Sequence, residues 1–536
     1  MNKMMSLIKA SAFDNMTLFT ISGKKQTKKI EKIFPLLFTG LCFGINWALA
    51  ELIIKELLPL RLETTLLSLF IIYTSVMTII EGIYKSSGLL FNCKDDNLLF
   101  SLPINKSTIL FIRILKFYLF ELLYNSMFLL PAMIVYAIHV PVGLEYYIAS
   151  LAALLVLPII PIVVSSVVGG TIAAISSRFK FKTLVEILIT GGSLLAIFLI
   201  AMNFDQDVSS IVQKAVNVNE RTMNLYYPIR AYIKLITDFH FMDFIIFIFT
   251  NVSILGATIL ILSKTYFKIN SKIKIIKSNT KKGKYIIASS KPIASLAMKE
   301  LKRFISSPIY VTNSAFGLAL FVIGTIFIAS KFNSIVQSII MQNNILSYEQ
   351  IRAYMPVILF GFICFTALMT SITSSMISLE GRAFTILKSF PVKSFTVVLG
   401  KVLAALVIMI PFILLGDMIV MLKFQFTLFE MLIILATSFV LPLVAEFIGI
   451  IVNLKYPRMD AENDTQVVKQ SVSAMVAVFI GMILSVITIV ALIMCVIHNV
   501  PVDFILTIGL AIYSFMAIVM LIYLKRNSKK EFYKIG

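Results

Sequence analysis

Four carboxylates stand inside long apolar runs: Glu81, Glu121, Asp417 and Glu446. An ionisable group in hydrocarbon costs roughly 2.5 to 3.5 kcal/mol even on lenient scales, so each must face a cavity or a partner. Glu81 sits near a helix end and reads as a snorkelling group. Glu121, Asp417 and Glu446 either line a pathway or accept interhelical hydrogen bonds, and they are too dispersed for a proton relay. Other chemistry finds no residues. Gly23-Lys24, Gly283-Lys284 and Gly400-Lys401 all lack the upstream glycine and the following hydroxyl of a G-x-x-x-x-G-K-[ST] phosphate loop, whose backbone amides wrap phosphate oxygens. Cys42, Cys93, Cys364 and Cys495 are scattered, without the paired spacing of a disulfide framework or a zinc site. His139, His240 and His498 lie far apart, and no H-E-x-x-H occurs. No catalytic residue and no metal site is therefore expected, and the chain reads as a non-enzyme.

A second group of residues has mechanical rather than chemical promise. Ser101-Leu102-Pro103-Ile104 leads through Thr108 to Arg113, and Ser389-Phe390-Pro391-Val392 leads through Thr396 to Lys401, at one constant offset and without gaps. An apolar cluster precedes each proline: Leu98, Leu99 and Phe100 in the first copy, Phe384, Ile386 and Leu387 in the second. Further upstream lie Lys94, Asp95 and Asp96, and Glu380, Gly381 and Arg382. A short amphipathic stretch stopped by proline and followed by a basic residue in the next helix suits an elbow lying in the membrane interface. Such an elbow can tilt the spans on either side of it.

The elements that must position these residues follow from composition. Of 536 residues, 59% are apolar and only 14% charged, against roughly half and a quarter in soluble domains. The apolar residues form continuous runs of about 20, long enough for a helix to cross a ~30 Å hydrocarbon layer, and they do not alternate as barrel strands would. Spans are expected near 33–50, 65–84, 117–139, 144–168, 184–202 and 243–263, then 309–330, 355–378, 396–421, 428–452, 472–497 and 502–524. The fold class is thus all-α, a polytopic membrane protein of about twelve helices. Because six is even, the halves at 33–263 and 308–524 enter with one orientation and form parallel pseudo-repeats. A polar, basic segment at 1–32 precedes them and does not resemble a signal peptide. A lysine-rich linker at 264–307 joins them, with a surface helix over 293–304, and a basic tail occupies 525–536. Most Lys and Arg fall on one side of this topology, which puts both termini in the cytoplasm. The net charge of +21 then reads as topology and attraction to anionic lipid, with no nucleic-acid partner. Lysine far outnumbering arginine suggests a low-GC bacterium and its plasma membrane.

The stretch Ser378-Leu379-Glu380-Gly381-Arg382-Ala383-Phe384, through Leu387, Ser389-Phe390-Pro391-Val392 and Gly400-Lys401, resembles the membrane subunit of Gram-positive ATP-binding-cassette exporters of the type-2 group. The first copy departs from it, with Lys94-Asp95-Asp96 in place of the acidic-Gly-Arg cluster. The resemblance implies a permease without its own nucleotide site, moving an amphipathic or hydrophobic solute such as a peptide, lipid or drug outward. It implies two copies of a separate cytoplasmic ATPase, carrying ATP and magnesium, docked on coupling loops. Those loops would comprise Asp95, Asp96, Leu98, Leu99, Phe100, Pro103 and Arg113, and Glu380, Gly381, Arg382, Phe384, Leu387, Pro391 and Lys401. An ion-coupled secondary transporter has the same two-by-six layout, and a membrane scaffold or regulator is the third reading.

Overall fold

In hydrocarbon no water is available to backbone N–H and C=O groups, so a chain this apolar must satisfy them inside helices. A computed structural model describes residues 27–90, 103, 105–176, 192, 226–278, 291–343, 348–461, 464–469 and 471–535. It is all-helical, with no strand among the described residues. Among the described residues, ten helical stretches are long and apolar enough to cross a membrane. Of the two other expected spans, 184–202 lies outside the described residues, and 33–50 falls in a helix that is not one of the ten. The helices group into two compact units, one over Lys24–Lys282 and the other over Gly283–Gly536.

The first unit contains α1 (Thr27–Leu57), α2 (Thr64–Leu89), α3 (Lys106–His139), α4 (Leu144–Val156), α5 (Ile159–Ser176), α6 (Tyr227–Thr237) and α7 (Phe241–Ser278). Helix α2 packs on α5 through small residues: a Cβ at Gly82 would overlap Ser165, and one at Gly169 would overlap Ser86. Two small residues a turn apart on each helix let the backbones approach closely, the usual device where lipid gives no hydrophobic drive to helix association. Leu66, Ile71, Leu129, Tyr136, Tyr232 and Phe247 form its apolar core. Helix α7 continues well past the expected span end at 263, so the start of the supposed linker is helical.

The second unit contains α8 (Pro292–Ser306), α9 (Pro308–Asn343), α10 (Tyr348–Ala353), α11 (Met355–Met369), α12 (Phe384–Ser389), α13 (Ser394–Phe424), α14 (Leu428–Lys455), α15 (Asp464–Val468), α16 (Val472–Ile497) and α17 (Val502–Lys534). Helix α14 starts with a full capping box, Thr427 and Glu430 satisfying each other's backbone N–H. The expected span at 355–378 is not one helix. It ends at Met369 and continues as two 3-10 turns, Thr373–Ser375 and Ser378–Ala383. Helix α16 crosses α11 at Gly481, where a Cβ would lie 2.8 Å from the Leu368 carbonyl carbon and overlap its oxygen. Backbone cannot rotate aside as a side chain can, so Gly481→Val is expected to cost at least ~1–3 kcal/mol of unfolding free energy, read as a lowered thermal midpoint in micelles. A midpoint equal to wild type would show that α11 and α16 do not meet there.

Candidate functional site

The feature that sequence and packing concentrate most strongly is an ionic knot at one end of the second unit. Lys401 lies two turns into α13 and is 2% exposed, an environment no lysine tolerates without partners. Its Nζ donates to Glu300 Oε1 at 2.7 Å, to Glu380 Oε1 at 2.9 Å and to the Met376 carbonyl at 3.2 Å. Arg303 donates to Glu380 Oε2 at 2.5 Å and to Glu300 Oε2 at 3.2 Å, and Lys299 donates to Glu380 Oε1 at 2.8 Å. Three cations therefore share two carboxylates, both almost fully buried.

Local sequence explains how three elements deliver these groups. Helix α8 opens with Pro292 in its first turn, where a missing N–H costs nothing. It buries Glu300 and Phe304, one turn apart, and keeps Lys299 and Arg303 at the rim. Gly400 of α13 lets α8 come close: a Cβ there would lie 2.8 Å from the Leu296 Cβ. Glu380 arrives on the 3-10 turn, and the next residue, Gly381, has φ +52°, a left-handed conformation that glycine adopts without strain. That reversal sends the chain into α12. Burial alone would oppose the charge on Arg303, but hydrogen bonding to Glu380 and the charges of Glu300 and Glu380 outweigh it and raise its pKa further. The knot is thus a clamp among fixed charges, joining the surface helix, the broken segment and a long span.

The elbow itself is divided. Phe384 and Leu387 turn inward, Phe384 against Phe532 at 4.7 Å between ring centroids, and Lys388 donates to the Ile535 carbonyl. Ile386 and Phe390 are exposed, as is Pro391. Arg382 lies in the 3-10 turn with Glu380 and Gly381. In the first unit, Arg113 donates to the Leu90 carbonyl at 3.0 Å and to the Tyr266 hydroxyl. Asp95, Asp96, Leu98, Leu99 and Phe100 lie outside the described residues, while Pro103 is an exposed bend.

Each of the three acids within the apolar runs accepts a hydrogen bond from another segment of its unit. Glu121 takes one from Lys85 at 3.0 Å, and Lys85 also reaches Glu81, so Glu81 is an ion-pair partner rather than a snorkelling end group. Asp417 Oδ2 accepts from Ser438 at 2.5 Å. Glu446 accepts backbone N–H groups from Ile372 at 3.0 Å and Thr373 at 2.7 Å, capping the break after α11. Asn453 continues the ladder, its Oδ1 accepting from Ile377 at 2.7 Å and Ser378 at 3.2 Å. Non-helical backbone survives at membrane depth only where protein supplies such partners. Lys299, Glu300, Arg303 and Asn453 were not among the residues the sequence singled out. The amphipathic spacing of 293–304 was the one local signal, and it pointed to a surface helix without naming what it holds.

A family model described as "Putative ATP-binding cassette" matches residues 20–233. No curated protein and no solved structure matches the chain. The family match corrects the reading of this chain as the membrane subunit of an exporter, a permease and non-enzyme whose ATP, magnesium and hydrolytic step all belong to separate ATPase chains. The cassette likeness falls within this chain's own residues. The residues described there do not, however, fit a nucleotide. No G-x-x-x-x-G-K-[ST] occurs in the sequence. Among the described residues of the matched range no glycine has a left-handed backbone, and the buried cations Lys85 and Arg113 are taken up by Glu81, Glu121, Leu90 and Tyr266. No step is therefore derived through ATP or magnesium.

Proposed function

We propose that this chain is a membrane-embedded component of an ATP-binding-cassette transport assembly in a bacterial plasma membrane, with its termini and the elbow at 378–391 on the cytoplasmic side. The ten apolar helices and the cassette likeness over residues 20–233 support this reading. The two-repeat plan gains support from a local parallel. Arg113 reaches back to the Leu90 carbonyl, and Lys401, at the same place in its own unit, reaches back to the Met376 carbonyl.

The observation that carries the proposal is the knot around Lys401. It ties a surface helix, the elbow-bearing segment and span α13 into one joint. Movement at the exposed Ile386–Pro391 edge then reaches the spans as rigid-body tilt, since helices joined by buried ion pairs do not slide independently. Phe390→Cys in a chain freed of its native cysteines tests this with a membrane-impermeant maleimide. We expect labelling in inside-out vesicles and none in sealed cells, with a rate that changes at least about threefold on adding ATP, a shift of roughly 0.65 kcal/mol in exposure. Labelling from outside sealed cells, or a rate indifferent to ATP, would reject the proposal.

A further inference from the structure

The C-terminal end of α17 carries a second feature, independent of the knot. Arg526, Lys529, Lys530 and Tyr533 line an open recess of about 600 Å³. Their spacing, i, i+3, i+4 and i+7, places them on one face of a helix. All four are exposed. The opposite face is set by Leu524, Ser528 and Phe532, which are buried, with Phe532 against Phe384. The basic face is therefore held outward by packing rather than by chance orientation.

Its depth follows from helix length. From Phe504 to Leu524 the helix has no charged residue, and at 1.5 Å per residue this stretch spans about 30 Å, the thickness of the hydrocarbon. The 33-residue helix is about 50 Å long, so its last two to three turns stand in the headgroup zone. The charges begin where the hydrocarbon ends. Nearby, Lys455 sits 5.9 Å from the Tyr523 ring centroid, an aromatic–basic pair of the kind found at membrane interfaces. The acid on this segment, Glu531, pairs with Lys534 at 2.9 Å and does not line the recess. Three cations and a phenol with no carboxylate among the lining residues form a site for a phosphate monoanion whose acyl chains lie along α17.

We infer that this recess binds the headgroup of an anionic phospholipid. Each juxtamembrane cation contributes about 1 kcal/mol toward an anionic surface, a factor of about five in affinity. The test uses the full chain reconstituted into phosphatidylcholine nanodiscs with and without phosphatidylglycerol, counting retained lipid by native mass spectrometry. Wild type should retain phosphatidylglycerol over phosphatidylcholine. Lys529→Gln should weaken that preference about fivefold, and the triple change Arg526→Gln, Lys529→Gln, Lys530→Gln about a hundredfold. Lys331→Gln, at an exposed cation on α9 outside the recess, should lower it less than Lys529→Gln does. The single variant keeps the test open should the triple variant fold poorly. Retention unaltered by Lys529→Gln, or lowered equally by Lys331→Gln, would overturn the assignment. So would displacement of the lipid by soluble glycerol phosphate, which would mark a site for a free anion. No transport step enters this measurement, so its outcome stands apart from the function proposed above.

Discussion

Glu380→Gln is expected to lower the unfolding free energy of the second unit by ~3–5 kcal/mol, because it leaves Lys401 and Arg303 to share Glu300 alone and takes from Lys299 the carboxylate it pairs with. Lys401 is the group that suffers most, being 2% exposed with no water to turn to. Lys401→Met should cost a comparable amount, since it takes from two buried carboxylates the buried cation they share and leaves them Arg303 and Lys299 at the rim. The rim residues matter less: the Lys299 side chain is 41% exposed, and solvent screening holds its pair with Glu380 to ~1 kcal/mol or below. The decisive measurement is a double-mutant cycle. Combining Glu380→Gln with Lys401→Met removes one charge of each sign, so the double variant should be more stable than the sum of the singles by ~1.5–3 kcal/mol. Denaturant unfolding of the purified chain in micelles reads this directly, and strictly additive losses would show that the knot is not a coupled unit. Its value lies less in net stability than in fixing one arrangement of α8, the broken segment and α13, since apolar side chains of similar volume often replace buried ion pairs without loss.

Glu446→Leu is the second large effect. It deprives the Ile372 and Thr373 amides of their acceptor in a region where water cannot substitute. Each stranded N–H costs ~1–3 kcal/mol, so the pair should cost ~2–6 kcal/mol. Glu446→Gln keeps a carbonyl oxygen at the same position and should cost only ~1 kcal/mol. Hydrogen exchange at Ile372 and Thr373 distinguishes this role from simple packing: both amides should lose protection in the leucine variant and keep most of it in the glutamine variant. Equal protection in wild type and Glu446→Leu would mean that the break is held by something else, with the Tyr310 hydroxyl on the Ile372 carbonyl at 2.8 Å the next support to examine. Gly449 belongs to the same device. One turn beyond Glu446 on α14, it leaves room for the Ser374 amide, which a Cβ would meet at 2.9 Å.

These two clusters mark where reading the sequence stops. The helical membrane class was legible because it rests on composition and run length, quantities that neighbours in sequence and the surrounding solvent decide between them. The surface helix expected at 293–304 occupies Pro292–Ser306, because an amphipathic period and a first-turn proline are local signals. Helix α16 covers Val472–Ile497 as expected, bounded by the side-chain cap of Ser471. The interruption after Met369 had no such signal: the run from 355 to 378 is apolar or small throughout, and what stabilises its opening is a glutamate 74 residues away. Glu121, Glu300 and Glu380 likewise became intelligible only beside lysines 36, 101 and 21 residues distant. The placing of all ATP chemistry in a partner chain drew on the missing phosphate loop and on a resemblance in the second half, and was overturned by a family likeness over residues 20–233.

Sequence alone determined the all-helical, apolar character of the chain, since helices and closed barrels both satisfy backbone groups in lipid and continuous runs without alternation suit only helices. Which charges meet was decided by helix packing, because a buried ion pair depends on distances that only the folded chain sets and that no spacing along it encodes.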